Sequence, residues 1–265
     1  MKFNTKKYSL FIIHLSLIFV VFFDSSLYAK KIQLTVVTED FPPYNYRNKL
    51  GEIDGLSTNI VKTILDRAGI DYKIVLLPWQ RAYKMAREKK NILIYSVHRT
   101  QEREKHFNTW IGPISKPRSW YFYKLASRQD LVLNSMEDAK NLSVGVPRGY
   151  SIYTFLMKNG FTKLETTTNY TQNVKKFFVG RFDLLVSSDI QLLFTLKKLN
   201  FNFDSVTKLF LYPAGQNGEG YAAFSTGTNQ DIIDKVIKTN NEIQEEKFVE
   251  NLYKRFLSNE KILSK

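Results

Sequence analysis

The stretch "RTQEREKHF" (residues 99–107) places Arg99, Arg103, Lys105, Glu102, Glu104 and His106 within nine positions of a chain that has three histidines in all. Cations and carboxylates packed so closely can do one of two things: hold an anion, or pair with one another in water. Composition does not rank them, and the plain reading is a charged helical turn in which Glu102 and Glu104 offset the basic residues. Other chemistries find less support. Cysteine is absent, and His98 and His106 are the histidines beyond residue 29, so nucleophilic catalysis has few bases to draw on. No G-x-S-x-G turn, P-loop or His/Cys cluster of metal-ligand spacing occurs, so neither a metal nor a cofactor is expected. Acid–base catalysis by a carboxylate or a lysine leaves no such signature and stays open.

The elements that would position these groups follow from hydrophobic periodicity. "IQLTVVTE" (32–39) is a β-branched run entering the turn-rich "DFPPYNYRNKLGEIDG". "LSTNIVKTILDRAG" then puts Leu56, Ile60, Val61, Ile64, Leu65 and Ala68 on one helical face and stops at Gly69. Strand "YKIVLLP" (72–78), helix "WQRAYKMAREKK" and strand "NILIYSV" (91–97) continue the alternation, so the charged stretch emerges from a strand end. A second series runs from "LSVGVPRG" through "FDLLVSS" and "DIQLLFTLKKL", and the tail "NQDIIDKVIKTNNEIQEEKFVENLYKRFL" reads as two closing helices. "SWYFYKLA" (119–126) and "GYAAFS" (220–225) are the extended segments expected to cross between the two series. The fold class is therefore α/β, with lobe one over 30–121 and 224–265 and lobe two over 122–223, each a sheet flanked by helices. Strand C-termini and helix N-termini converge in the cleft between such lobes, which makes it the favoured ligand site.

The first residues read as an export signal: Lys2, Lys6 and Lys7 precede an apolar run from Tyr8 to Phe23, and "DSSLYA" leads to cleavage expected after Ala29. Leu27 is a poor match three positions before that point, so a retained anchor is the alternative. Removal of residues 1–29 lowers the formal charge from +14 to +12. The lysines are dispersed rather than gathered in a stripe, which together with export argues against a nucleic-acid partner. An exported chain without cysteine folds without disulfides and carries no lipid on a cysteine beside the signal, so a monomer soluble in the exported compartment is expected, which the resemblance below makes the periplasm.

"TEDFPPYNY", "IDGLSTNIVKTILDRAG", "PWQRAYKMA", "SVHRTQEREKHFNTWIGPI", "VGVPRGYS" and "VGRFDLLVSSD", in this order and spacing, resemble the bacterial periplasmic solute-binding proteins of family 3 over residues 32–258. That family includes the polar amino acid binding components of ABC importers, and its fold is the two-lobed type 2 periplasmic binding fold. The resemblance implies a small polar, carboxylate-bearing solute and an ABC permease as partner. In the amino acid binders the arginine of a T-x-x-R motif clamps the ligand carboxylate; Thr100-Gln-Glu-Arg103 is similar, which singles out Arg103. A guanidinium suits that task because its planar fork matches a carboxylate and keeps its charge. Arg99 and Lys105 keep the solvated reading.

By the same resemblance, Ser96 and His98 line the cleft, with His98 in place of a usual serine, where it could make binding pH-sensitive or simply pack at the strand end. Gly149, Tyr150 and Ser151 resemble the lobe-two turn and helix start that supply N–H and hydroxyl donors, although Ser151 reads equally as a helix N-cap. Phe41 or Tyr44 sits where the family stacks a ring on the ligand, and Trp79 leads toward the same cleft; core packing is the competing reading for each. Asp54-Gly55 and Asp183 read as structural. One departure stands out: the aspartate that holds the ligand α-ammonium in the amino acid binders falls on Ser188, with Asp189 one step later. If Asp189 does not reach the site, an amine loses its counter-ion. A periplasmic dehydratase-like enzyme and a ligand-sensing module for a membrane partner are the alternatives on the same fold.

Overall fold

The computed structural model describes residues 33–213 and 219–259; the export signal expected over residues 1–29 lies outside them. The apolar run Leu34–Thr38 forms β1, which pairs in parallel with β4 (Tyr72–Leu76) on one side and β5 (Ile92–Val97) on the other. Its side chains are buried on both faces, as expected of a strand covered on both sides. Leu34 and Val36 join Ile60, Ile64 and Leu65 of α1 (Leu56–Arg67) in one cluster, while Val37 packs with Trp79, Ala82 and Ala86 of α2 (Trp79–Glu88) in another. The helical face expected from 56 to 65 is thus the face that faces the sheet. A short hairpin of β2 (Tyr46–Arg47) and β3 (Ile53–Asp54) occupies part of the turn-rich loop before α1.

The sheet is completed by β6 (Thr109–Ile111) and β12 (Tyr221–Phe224) in the order β4-β1-β5-β12-β6. The second sheet has the order β11-β7-β10-β8-β9, built from β7 (Tyr121–Leu125), β8 (Val144–Pro147), β9 (Leu164–Thr167), β10 (Leu184–Ser187) and β11 (Val206–Leu211). After the short helix α4 (Met136–Ala139), its parallel core β10-β8-β9 alternates with α5 (Ser151–Lys158), α6 (Tyr170–Phe178) and α7 (Asp189–Lys198), and β7 joins antiparallel. Two closing helices, α8 (Gln230–Glu245) and α9 (Phe248–Asn259), end the described chain as the tail pattern predicts.

The two extended segments do not cross between lobes where the sequence placed them. β7 already belongs to the second sheet at Tyr121, opposite Ser187, and all four residues of β12 pair in the first sheet with β5 and β6. The crossings therefore lie in residues 112–120 and between Leu211 and Tyr221, ahead of the boundaries expected after 121 and 223. Both misplacements have one cause, since local patterning marks a segment as extended but not which distant strand it pairs with. The crossings run side by side: Ile114 N–H donates to Gly220 O (2.8 Å), Gly220 N–H to Ser115 Oγ (2.6 Å), and Tyr212 N–H to Trp120 O (2.7 Å).

Gly55 makes the entry to α1 possible. Its φ of +124° suits glycine, and a Cβ there would lie 2.5 Å from Tyr44 O, the carbonyl that accepts the Ser57 and Thr58 N–H groups at the open end of α1. Gly55→Ala is expected to lower stability in urea unfolding by about 1–3 kcal/mol. Gly51→Ala, with φ +82° but open space around a Cβ, is expected to cost less.

Candidate functional site

Arg103 reaches the space between the lobes through a short chain of local causes. Ser96, the penultimate residue of β5, takes φ +62°, a left-handed conformation rare for a non-glycine residue, opposite a register shift between Tyr221 and Ala222. Ser96 Oγ bonds Asn45 Oδ1 (2.5 Å), and Asn45 Nδ2 in turn donates to Glu39 O (2.5 Å), so the ends of β1 and β5 are tied together. Thr100 Oγ1 then accepts from Arg103 N–H (3.3 Å) and caps α3 (Gln101–Glu104), a single turn. That turn lays the Arg103 guanidinium over the rings of Trp79 (4.9 Å) and Tyr83 (5.6 Å). One Nη donates to His98 O (3.0 Å) and the other to Gly149 O across the cleft (3.4 Å). Arg99 pairs instead with Glu104 (2.7 Å) at the surface, and Lys105 is exposed.

The cleft around Arg103 is lined by Glu39, Phe41, Trp79, Ser96, His98, Trp120, Tyr150, Ser151 and Ile152. Seven expected site residues thus come together: Arg103, Phe41, Trp79, Ser96, His98, Tyr150 and Ser151. Tyr150, not Ser151, is the N-cap of α5, and it makes no side-chain cap; its hydroxyl donates to Glu39 Oε2 (2.7 Å) across the cleft. Trp79 Nε1 donates to Gly149 O (2.9 Å), and Thr171 Oγ1 to Asp40 (3.3 Å). With the lobes joined by these bonds, the space left among the lining side chains is about 30 Å³, room for little more than water.

Glu39, Trp120 and Ile152 were not singled out in the sequence. Glu39 is the one carboxylate of the lining, and burial pushes its pKa up to about 8, against the Tyr150 hydrogen bond and the Arg103 charge, which favour ionisation. Glu39 and its neighbour Asp40 directly after a strand have no spacing that tells one from the other; the place at a strand C-terminus was the available signal.

Behind Phe41, His98 and Trp120 lies a second guanidinium that the sequence also left unmarked. Arg118, on the first crossing, sits 4.3 Å from the Tyr44 ring centroid and 5.6 Å from those of Phe41 and Trp120. It donates to His98 Nε2 (3.2 Å) and to Ser115 Oγ (3.2 Å). Tyr44 is therefore buried beside Arg118 rather than in the lining. Burial first, then Arg118 and Arg103, depress the His98 pKa to about 3, so the imidazole is neutral and Nε2 accepts. Of the two readings left open for His98, the packed and hydrogen-bonded one fits, and the imidazole is held in one state across the physiological range.

Ser188 and Asp189 lie apart from the lining. Asp189 has left the strand, as first residue of α7, but turns outward to bond Tyr123 OH and Lys208 Nζ (2.7 Å). Ser188, the N-cap, is buried with no hydrogen bond to Oγ. Asp183 bonds Ser143 and Arg128, and Asp54 bonds Gly55 N–H, both in structural roles. Among the described residues, no cluster of His, Cys, Asp or Glu is placed to hold a metal, and no helix is long and apolar enough to cross a membrane.

The sequence model of the bacterial extracellular solute-binding proteins, family 3, matches residues 34–259. No curated protein matches the chain. Among solved structures, an ancestral arginine-binding protein bound to arginine superposes with a TM-score of 0.70 at 20% identity, covering 84% of this chain and 97% of that one. The arginine-, lysine-, histidine-binding protein ArtJ from Geobacillus stearothermophilus gives 0.69 at 16% identity, over 86% and 96%. A histidine kinase sensor domain similar to periplasmic binding proteins gives 0.70 at 15%, over 86% and 97%. At these identities the likeness is one of fold: two lobes of the type 2 periplasmic binding architecture.

A histidine buried neutral in the fold but protonated in the unfolded chain lowers stability as pH falls below about 6.5 toward 3. The full loss is on the order of 4 kcal/mol. His98→Gln keeps an acceptor for Arg118 without titrating, so thermal melts at pH 7, 5 and 4 should show a shallower decline for the variant than for the wild type.

Proposed function

The chain belongs to the bacterial extracellular solute-binding proteins of family 3, and from that membership we propose that it captures a small polar, carboxylate-bearing solute between its lobes and presents it to an ABC importer. The observation that carries this reading is Arg103. It is a guanidinium on an aromatic shelf at the cleft, held by two backbone carbonyls and by no carboxylate among the described residues, with further N–H groups for an anion. Export is part of the proposal, with cleavage after Ala29, and so is action as a monomer outside the cytoplasm.

The mechanism follows from the crossings and the seam. Parting of the lobes breaks the Trp79, Arg103, Tyr150 and Thr171 bonds that span the cleft, and the first crossing, residues 112–120, bonded to Tyr212 and Gly220, absorbs the rotation. The solute carboxylate meets the Arg103 fork from lobe one and the N-terminal N–H groups of α5, beside Ser151, from lobe two. Ser96 and the rings of Phe41, Trp79 and Tyr150 shape the remainder of the site. Closure over the solute excludes water, which strengthens the ion pair by lowering the local dielectric. The closed outline, with both lobes in register, is then the surface a permease reads.

Arg103→Ala should abolish calorimetric binding of the cognate carboxylate while circular dichroism stays that of the wild type; unchanged affinity would overturn the assignment. Glu39 reports whether the solute carries an amine. It is faced by Tyr150, Arg103 and Asp40, and is protonated below about pH 8. A ligand ammonium laid against it would ionise it, so affinity would rise with pH through 8 with proton release. A ligand with anionic groups alone favours the protonated acid, so its affinity would hold below pH 8 and fall above it. Titrations at pH 6.5, 7.5 and 8.5 in buffers of different ionisation enthalpy separate the two.

A further inference from the structure

Arg118 has no part in the role assigned to Arg103, yet it is the more unusual of the two guanidiniums. It lies on the first crossing directly behind the lining residues Phe41, His98 and Trp120, boxed by the rings of Phe41, Tyr44 and Trp120. Among the described residues it pairs with no carboxylate, and its Nε is buried without a hydrogen-bond partner. Two more polar atoms beside the same aromatic box are buried and unpartnered: Trp120 Nε1, on a side chain that lines the cleft, and Ser188 Oγ, next to Tyr44. Two N–H donors and a hydroxyl left unsatisfied around one cation call for an acceptor, because an unpaired buried donor forfeits its hydration without recompense.

The same place is where the resemblance to amino acid binders implies a carboxylate for the ligand α-ammonium. Here that carboxylate is absent, since Ser188 stands at the position and Asp189 is turned away to Lys208. Tyr44 lies against both Ser188 and Arg118, so the guanidinium stands one ring away from that position. An ammonium brought there would meet a like charge, whereas an anion would meet one guanidinium, one indole N–H and one hydroxyl. His98 links this end of the cleft to the other: its carbonyl accepts from Arg103, and its Nε2 accepts from Arg118. Against two guanidiniums, the lining supplies the single carboxylate of Glu39.

We infer that Arg118 is a second anion-recognising residue, and that the solute is a small dianion such as a dicarboxylate, one anionic group held by Arg103 and the other by Arg118 with Trp120 and Ser188. The inference rests on the reading of the cleft as a solute site and narrows the ligand class within it. It makes α-amino acids without a second acidic group poor ligands, because the Arg118 pole offers their ammonium no counter-ion.

Calorimetry on the wild-type protein with butanoate, pentanoate, succinate, glutarate and a neutral α-amino acid tests it. The dicarboxylates are expected to bind roughly 10- to 100-fold more tightly than monocarboxylates of the same length, the span of one charge-assisted hydrogen-bonded pair. Arg118→Gln should collapse that ratio toward one, whereas Arg103→Gln should weaken both series. Ser188→Asp, which puts a carboxylate beside Arg118, should depress dicarboxylate binding. A ratio near one in the wild type overturns the proposal even if Arg118→Gln fails to fold, and so does an Arg118→Gln variant that folds and keeps the wild-type ratio. Monocarboxylate binding without a dicarboxylate advantage leaves the solute-site reading standing and removes only the second pole. Silence with every carboxylate removes both.

Discussion

The structure is organised around keeping a guanidinium charged in a place with little water. Transfer of such a group out of solvent is costly unless hydrogen bonds and polarisable neighbours replace its hydration. For Arg103 the replacements come from separate elements: the carbonyl of His98 after β5, the carbonyl of Gly149 after β8, and the faces of Trp79 and Tyr83 on α2. Each is placed by a local device, whether the left-handed turn at Ser96, the Thr100 cap of α3 or the positive φ of Gly149. Because one of these partners belongs to the opposite lobe, satisfying the cation and closing the cleft are the same event.

That coupling gives the hinge its place in the account. The crossings carry Ser115, Arg118 and Trp120 on one side and Tyr212 and Gly220 on the other, stitched by direct hydrogen bonds. Gly220 must be small, since a Cβ there would lie 2.9 Å from Ser115 Oγ, the atom that holds both the Gly220 N–H and the Arg118 guanidinium. A contact made at the floor of the cleft is thus made on the hinge itself. The buried, neutral His98 touches Arg103 through its backbone and Arg118 through its ring, so the two cations are held by one rigid residue.

Much of this was legible in the sequence. The buried strands β1 and β5, the face of α1 and the tail helices follow from periodicity, because each is decided by residues a few positions apart. The placement of β7 and β12 was not, because both are central or near-central strands whose partners lie up to more than a hundred residues away. In the site, the resemblance directed attention to Arg103, and six other expected residues line one cleft with it. Asp189 was harder to place: leaving a strand for a helix, its side chain could turn either way, and Lys208 and Tyr123 decide the direction. Glu39 carried only its place after a strand, as one of two adjacent acids, and Arg118 carried no local signal at all, as one arginine among many cations. Their significance is made by burial, which only the assembled lobes define.

Intrinsic fluorescence tests the central claim most directly, because two of the three tryptophans, Trp79 and Trp120, line the cleft. Titration of the wild-type protein with small carboxylates should produce a saturable change in emission with at least one of them, and the same titration of Arg103→Ala should produce none. An unchanged titration in the variant, or a wild-type protein whose emission responds to amines and neutral solutes but to no carboxylate, would contradict the account.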